Sequence, residues 1–288
     1  TPGKRMTLTI GDDIFDLSGI WQYAVTAEAD RDCPFEDFVR WKPTGLYNAM
    51  LAPCFPYAVR AVLWYQGESN TGDYAMRYGD ELKAMIELWR GKWHQPDMPF
   101  LIVQLPKFGI DAIEDGGWPL IREQEWRVAD ELEHVAAVVT LDAGESNDLH
   151  PHDKKTIADR AFNVAMDFVY GQQAQPQPVV ETAEADDGLL RMHCVWRNSM
   201  GEQMQSQNRH LMTLDGDVPR EIDFLWHDCA TSVRAEAWLD GCDIVARIPS
   251  RMPDEVRYAW SNSPESGLIC DGDGVLLPPF HLPLPMVD

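Results

Sequence analysis

The chain has 288 residues, of which 45% are hydrophobic, enough for one large or two modest domains around a packed core. Its 47 acidic against 24 basic residues give a formal charge of −23, a field that repels phosphate backbones and anionic membrane surfaces alike, which argues against nucleic acid and membrane as partners. The six cysteines show no C-x-x-C pair and no regular spacing with histidine; they signal no metal site and no disulfide framework, and read as mostly buried thiols.

The opening Thr1-Pro2-Gly3-Lys4 is neither an initiator methionine nor a signal peptide, so any export signal would lie upstream. Residues 1–42 read as a β-rich lead-in, with strands over Thr7–Ile10 and Ile20–Val25 around Gly11-Asp12-Asp13, and Leu46–Tyr57 has helical character. Three apolar β-like runs follow, Ala61–Tyr65, Pro99–Leu105 and Ala136–Leu141, each succeeded by a segment of helical period. That alternation produces right-handed βαβ units and a parallel sheet. Tyr78, Leu82, Met85 and Trp89 line one face of the first helix. Leu120 to His134 forms the second, with Pro119 suited to its first turn. Ile157, Ala161, Val164, Ala165 and Phe168 make the stripe of the third, which ends at Gly171. Residues 43–171 therefore predict an α/β domain with a partial, three-layer parallel sheet, half of a doubly wound fold. Residues 172–178 read as a linker. From 179 to 288, short runs such as Leu189–Trp196, Ile222–Trp226, Ala235–Leu239 and Val256–Trp260, separated by Asp-Gly and Pro signals, predict a small sandwich-like β module.

Chemistry is expected where parallel strands end. Gln66, Gly67 and Glu68 leave the first strand there, and a side-chain amide at that edge can donate to a developing oxyanion; the plainer reading is a polar turn capping the next helix. His150 is presented from a loop by Pro151, and Glu145, Asn147 and Asp148 could orient its imidazole as a general base requires. A surface histidine is the plainer reading there. Trp64 and Trp118 are candidate sugar platforms, although most of the eleven tryptophans belong in a core.

The segments Pro43-Thr44-Gly45-Leu46-Tyr47-Asn48-Ala49-Met50, Trp64-Tyr65-Gln66-Gly67-Glu68-Ser69-Asn70, Arg122-Glu123-Gln124 and Asp148-Leu149-His150-Pro151 resemble, in order and spacing, the sialate O-acetylesterase family of SGNH-type hydrolases. The closing Val256-Arg257-Tyr258-Ala259-Trp260, with Asn262 and Pro264, resembles that family's last β segment. The resemblance implies an SGNH-hydrolase-like, flavodoxin-like sheet and a serine esterase that removes acetyl groups from sugar hydroxyls, typically from sialic acid, without metal or cofactor. It makes His150 the general base and Gln66 the oxyanion donor. The orienting acid is Asp148 or Glu68: Asn147 occupies the position where related enzymes place an aspartate, and Asp148 would share a face with His150 if the segment is extended. Gly67, Asn48, Arg122 and Gln124 are the substrate-binding candidates.

The departure is the nucleophile. The family's Gly-Gln-Ser-Asn turn has no counterpart here, and Ser69 and Ser146 lack the nucleophile-elbow context. The expectation is the C-terminal portion of a longer enzyme, with a catalytically inactive carbohydrate-binding or regulatory module as the alternative. A sheet lacking its first strands would expose an apolar edge, to be covered by the N-terminal part of the same enzyme, by a second copy of the chain, or by Thr7–Ile10 as a substitute strand.

Overall fold

The computed structural model describes residues 7–17, 20, 43–109, 117–172, 175–205, 209–229 and 232–284. Contacts divide the chain into two units, Thr1–Cys54 and Phe55–Asp288.

In the first unit, β1 (Thr7–Ile10) and β2 (Asp13–Asp16) form an antiparallel hairpin in which Ile10 faces Asp13. The two-residue loop turns at Gly11, whose φ of +62° suits a residue without Cβ. The expected strand at Ile20–Val25 lies outside the described residues apart from Ile20. Tyr47–Leu51 is a π-helical turn and Ala52–Cys54 a 3-10 turn. The helical character expected from Leu46 is thus present but not as an α-helix, since Pro53 and Pro56 carry no N–H to continue one.

In the second unit, β3 (Val62–Trp64), β4 (Phe100–Val103) and β5 (Val135–Val138) form a parallel sheet in that order. The crossovers are α1 (Ala75–Trp93) and α2 (Trp118–Glu131), and α3 (Lys154–Phe168) follows β5. Each βα alternation falls where periodicity places it. Tyr78, Leu82 and Ile86 of α1 and Ile121 and Val128 of α2 bury against Phe100 and Ile102 on one face; Ile157 and Ala161 of α3 cover Leu101, Val103 and Val138 on the other. Alternate residues of a strand point to opposite faces, so β4, covered on both, is apolar throughout. Asp153 caps α3, its Oδ1 accepting from Thr156 N at 3.1 Å.

Among the described residues β3 is an edge of this sheet, and Leu63 is 57% exposed while its register partner Leu101 is 3% exposed. The exposed apolar edge expected from sequence is present. Thr7–Ile10 is not its substitute strand: it pairs with Asp13–Asp16 in a separate two-stranded sheet.

The remaining strands are β6 (Gln177–Asp186), β7 (Leu189–Arg197), β8 (Gln203–Met204), β9 (Leu211–Thr213), β10 (Ile222–Leu225), β11 (Val233–Arg234), β12 (Ala237–Asp240), β13 (Asp243–Arg247), β14 (Glu255–Tyr258), β15 (Ile269–Asp271) and β16 (Phe280–Pro283). All their pairings are antiparallel. One sheet runs β12-β13-β7-β6 with β8 beside β7, a second β11-β10-β14-β16, and β15 pairs with β9. Leu190, Met192, Cys194 and Trp196 alternate inward from β7 and share a core with Ile222 and Phe224 of β10 and Val256 and Tyr258 of β14. That is the packing of a sandwich. Val139 and Leu141, just after β5, belong to the same core, so these strands are packed onto the parallel sheet.

Cys194 and Cys270 are buried as expected, but Cys54 and Cys229 are exposed, which corrects the reading of mostly buried thiols. No described helix is long and apolar enough to cross a membrane.

Candidate active site

Because β3, β4 and β5 are parallel, residues 65–70, 104–109 and 139–153 all leave one edge of the sheet. The first turn is fixed from behind. Tyr78 of α1 accepts from Trp64 Nε1 at 3.1 Å and donates to the Gln66 carbonyl at 2.5 Å, and burial drives its hydroxyl pKa far above the usual range. The Gln66 side chain donates one amide hydrogen to Asn70 Oδ1 at 2.8 Å. An amide nitrogen carries two hydrogens, so Asn70 orients the group and leaves one to offer. Gly67 N–H donates to Glu68 Oε2 at 2.9 Å.

Gly67 is required by space. A Cβ there would lie 2.9 Å from Ile121 Cγ2 and 3.2 Å from Glu125 Oε1. Glu125 is a residue that sequence reading missed. It is fully buried on α2, its Oε2 accepts from Leu105 N at 3.0 Å, and its Oε1 has no partner among the described residues. Desolvation holds its pKa well above the carboxylate range, and the nearby charge of Glu68 adds to this. Burial, with Glu68 and Glu125 in support, likewise pushes the Tyr65 hydroxyl up to about 12.

The histidine turn is anchored at its start by Asp142, which binds Arg160 of α3 through two hydrogen bonds of 2.5 and 2.7 Å. Lys107 N–H donates to the Ala143 carbonyl at 3.0 Å and Gly109 N–H to the Ser146 carbonyl at 2.7 Å, so the turns after β4 and β5 lie against each other. Beyond them the Lys154 ammonium sits 5.4 Å from the centre of the Tyr65 ring, which brings the start of α3 to the turn after β3.

His150 is exposed on this turn, but Asp148 is not extended beside it. Asp148 N–H donates to the Glu145 carbonyl at 3.2 Å, closing a turn, and Asp148 Oδ1 accepts from the backbone N–H of His150 at 2.8 Å. Its Oδ2 lies 3.5 Å from His152 Nε2. The shared face expected for an extended segment is therefore absent. Among the described residues no hydrogen bond joins Asp148 or Glu68 to the His150 ring. His152, which sequence reading passed over, is the imidazole that meets Asp148. Glu145, Asp148 and His152 each bring a ligand atom within 4.8 Å of the others, a set that could hold a divalent ion.

Three other expectations change on placement. Arg122 is 0% exposed and does not reach a crevice: its guanidinium donates to the carbonyls of Leu105 (2.7 Å), Pro106 (2.9 Å), Ser261 (2.8 Å) and Asn262 (3.0 Å). Burial lowers its pKa to about 10. It is a strut between the end of β4 and the strand-rich C-terminal part. Gln124 is buried too, with its Oε1 accepting from Arg127 at 2.7 Å. Asn48 is exposed in the first unit and its amide donates to Thr44 Oγ1 at 3.3 Å. Trp118 is buried, donates to the Pro106 carbonyl and packs on Phe108, so it is core and not a platform; half-buried Trp64 is held by Tyr78.

Residues 36–160 match the family model described as carbohydrate esterase, sialic acid-specific acetylesterase. The mouse sialate O-acetylesterase is 30% identical over 264 residues, covering 82% of this chain and 47% of that protein. The human sialate O-acetylesterase is 30% identical over 174 residues, 52% of this chain and 33% of its own length. The crystal structure of a carbohydrate acetylesterase from Xanthomonas citri superposes with a TM-score of 0.71 at 29% identity, over 82% of this chain and 53% of that one. The chain thus spans about half the length of the curated relatives it matches.

Proposed function

Since the chain belongs to the sialic acid-specific acetylesterase family of carbohydrate esterases, we propose that it serves the removal of acetyl groups from a sugar hydroxyl, with O-acetylated sialic acid as the first substrate to test. The observation that supports this is the departure of both turns from one sheet edge: the Lys154 ammonium over the Tyr65 ring brings the start of α3, four residues after His150, to the residue that precedes the Gln66-Gly67-Glu68 turn. His150 accepts the proton of the attacking hydroxyl and returns it to the leaving sugar oxygen. The free amide hydrogen of Gln66, aimed by Asn70, stabilises the oxyanion as the carbonyl is attacked. Glu68 and Asp148 are the rival orienting acids. Because Asp148 is already engaged by the His150 backbone and by His152, and Glu68 by the Gly67 N–H, either residue can serve only after a side-chain rotation.

The nucleophile on this reading is a serine outside the chain. Ser69 sits exposed in a 3-10 turn, with no imidazole hydrogen-bonded to it among the described residues. The test is hydrolysis of p-nitrophenyl acetate: the chain alone should turn over no faster than a generic protein surface, and robust turnover abolished by Ser69→Ala would make Ser69 the nucleophile. Sugar binding without turnover by a longer protein that carries an upstream serine would favour an inactive carbohydrate-binding module.

A further inference from the structure

Away from the catalytic edge, a cavity of about 490 Å³ opens along β5 and α2, bounded by α3 and by β6 and β7. Its size falls within the roughly 300–1,000 Å³ of small-molecule sites. A second cavity of about 530 Å³ continues it, since Asn163 and Gln175 line both, and the second carries the exposed ring of Phe162. Together they form one elongated groove.

Gln177 and Asn198 of this groove are hydrogen-bonded within the protein, to the Leu276 carbonyl and to Glu202, but four other polar side chains are not. The Trp126 indole N–H, the side-chain amides of Asn163 and Gln175, and the Asp130 carboxylate have no hydrogen-bond partner among the described residues, and Arg197 Nε is buried without one. The positive charges, in contrast, are all neutralised. Arg160 binds Asp142 at 2.5 Å, Arg197 binds Glu181 at 3.3 Å and Arg209 binds Asp271 at 3.0 Å. An anionic ligand would find no free cation and would face Asp130. Groups suited to hydroxyls sit beside an apolar wall of Val135, Val164 and Val180, which matches the two kinds of surface on a sugar ring.

We propose that this groove binds the uncharged part of a glycan chain, at a site separate from the catalytic edge and independent of the acetyl-ester reading. The test uses the ¹⁵N-labelled chain and the Trp126 indole N–H resonance, titrated with N-acetyllactosamine and, separately, with N-acetylneuraminic acid. N-Acetyllactosamine should shift that resonance saturably. Calorimetry should then show its affinity fall about tenfold in Trp126→Phe, which keeps an aromatic side chain but removes the N–H donor and its one hydrogen bond, and fall also in Asn163→Ala, a change at an exposed residue of α3 that spares the core. Affinity should be unchanged in His150→Ala. The proposal is overturned if no saturable shift occurs, if binding is lost in His150→Ala but kept in both groove variants, or if the anionic sugar binds at Trp126 as tightly as the neutral one.

Discussion

Arg122→Lys separates a buried strut from a residue that contacts substrate. The guanidinium offers a planar fork of five donors and reaches four carbonyl oxygens at 2.7–3.0 Å. Lysine keeps the charge but concentrates it on one nitrogen with three donors, which cannot span acceptors on two separated segments. A hydrogen bond to a charged group is worth about 1.5–3 kcal/mol, so losing two of them costs about 3–6 kcal/mol. That is a large share of the roughly 5–15 kcal/mol that hold a protein folded. At roughly 2–4 °C per kcal/mol, the melting temperature should fall by at least about 6 °C, read by differential scanning calorimetry and checked by urea titration. A variant that melts with the wild type yet loses affinity for an acetylated sugar would refute the strut and return Arg122 to the substrate.

Three further outcomes follow from other contacts. Gly67→Ala should cost about 1–3 kcal/mol, as overpacking does, because Ile121 at 0% exposure cannot withdraw its methyl from a Cβ 2.9 Å away. The double variant with Ile121→Ala should lose less than the sum of the two single changes in urea unfolding, and strict additivity would contradict the clash. Glu125 has a folded pKa raised by desolvation above its unfolded value. The stability linked to its protonated form is complete below the unfolded pKa and is lost as pH climbs towards the folded one. The melting temperature of Glu125→Gln, which cannot ionise, should therefore decline less than wild type between about pH 5 and 8, and parallel curves would remove the effect. His281 bridges Glu123 of α2 at 3.2 Å and Glu255 of β14 at 2.7 Å, and the Glu123 hydrogen bond leads the causes that raise its pKa from 6.5. Its contribution is full below the unfolded value and lost as pH rises through the folded one. An NMR titration should place its midpoint above 6.5, and a midpoint unmoved by Glu123→Gln would deny the contact.

The parallel sheet and its three helices were legible because both signals are local: apolar runs of strand length, then stripes at steps of three and four such as Tyr78, Leu82 and Met85. The inward alternation of Leu190, Met192, Cys194 and Trp196 made β7 equally readable. What failed was set by distance in sequence or by side-chain competition. Arg122 looks like a cation at the start of an amphipathic helix, and what turns it inward is remote: the Leu105 and Pro106 carbonyls across the crossover and the Ser261 and Asn262 carbonyls about 140 residues away. Beyond its own φ, proline restricts the residue before it and no earlier one, so Pro151 constrains His150 but not Asp148, whose N–H was free to close a turn onto Glu145. Glu125 carried no signal, since a glutamate in the third turn of a helix is ordinarily solvated. Its burial depends on the glycine above it.

If Gln66 and His150 serve one acetyl-transfer step, both must govern acetate release from 9-O-acetyl-N-acetylneuraminic acid, measured with protein that includes an upstream serine turn. His150→Ala should lower kcat by several orders of magnitude. Gln66→Ala should cost about 2.7–4 kcal/mol, or roughly 10²–10³ in kcat, with KM little changed. Full activity in either variant, or a loss confined to KM, would contradict the shared site.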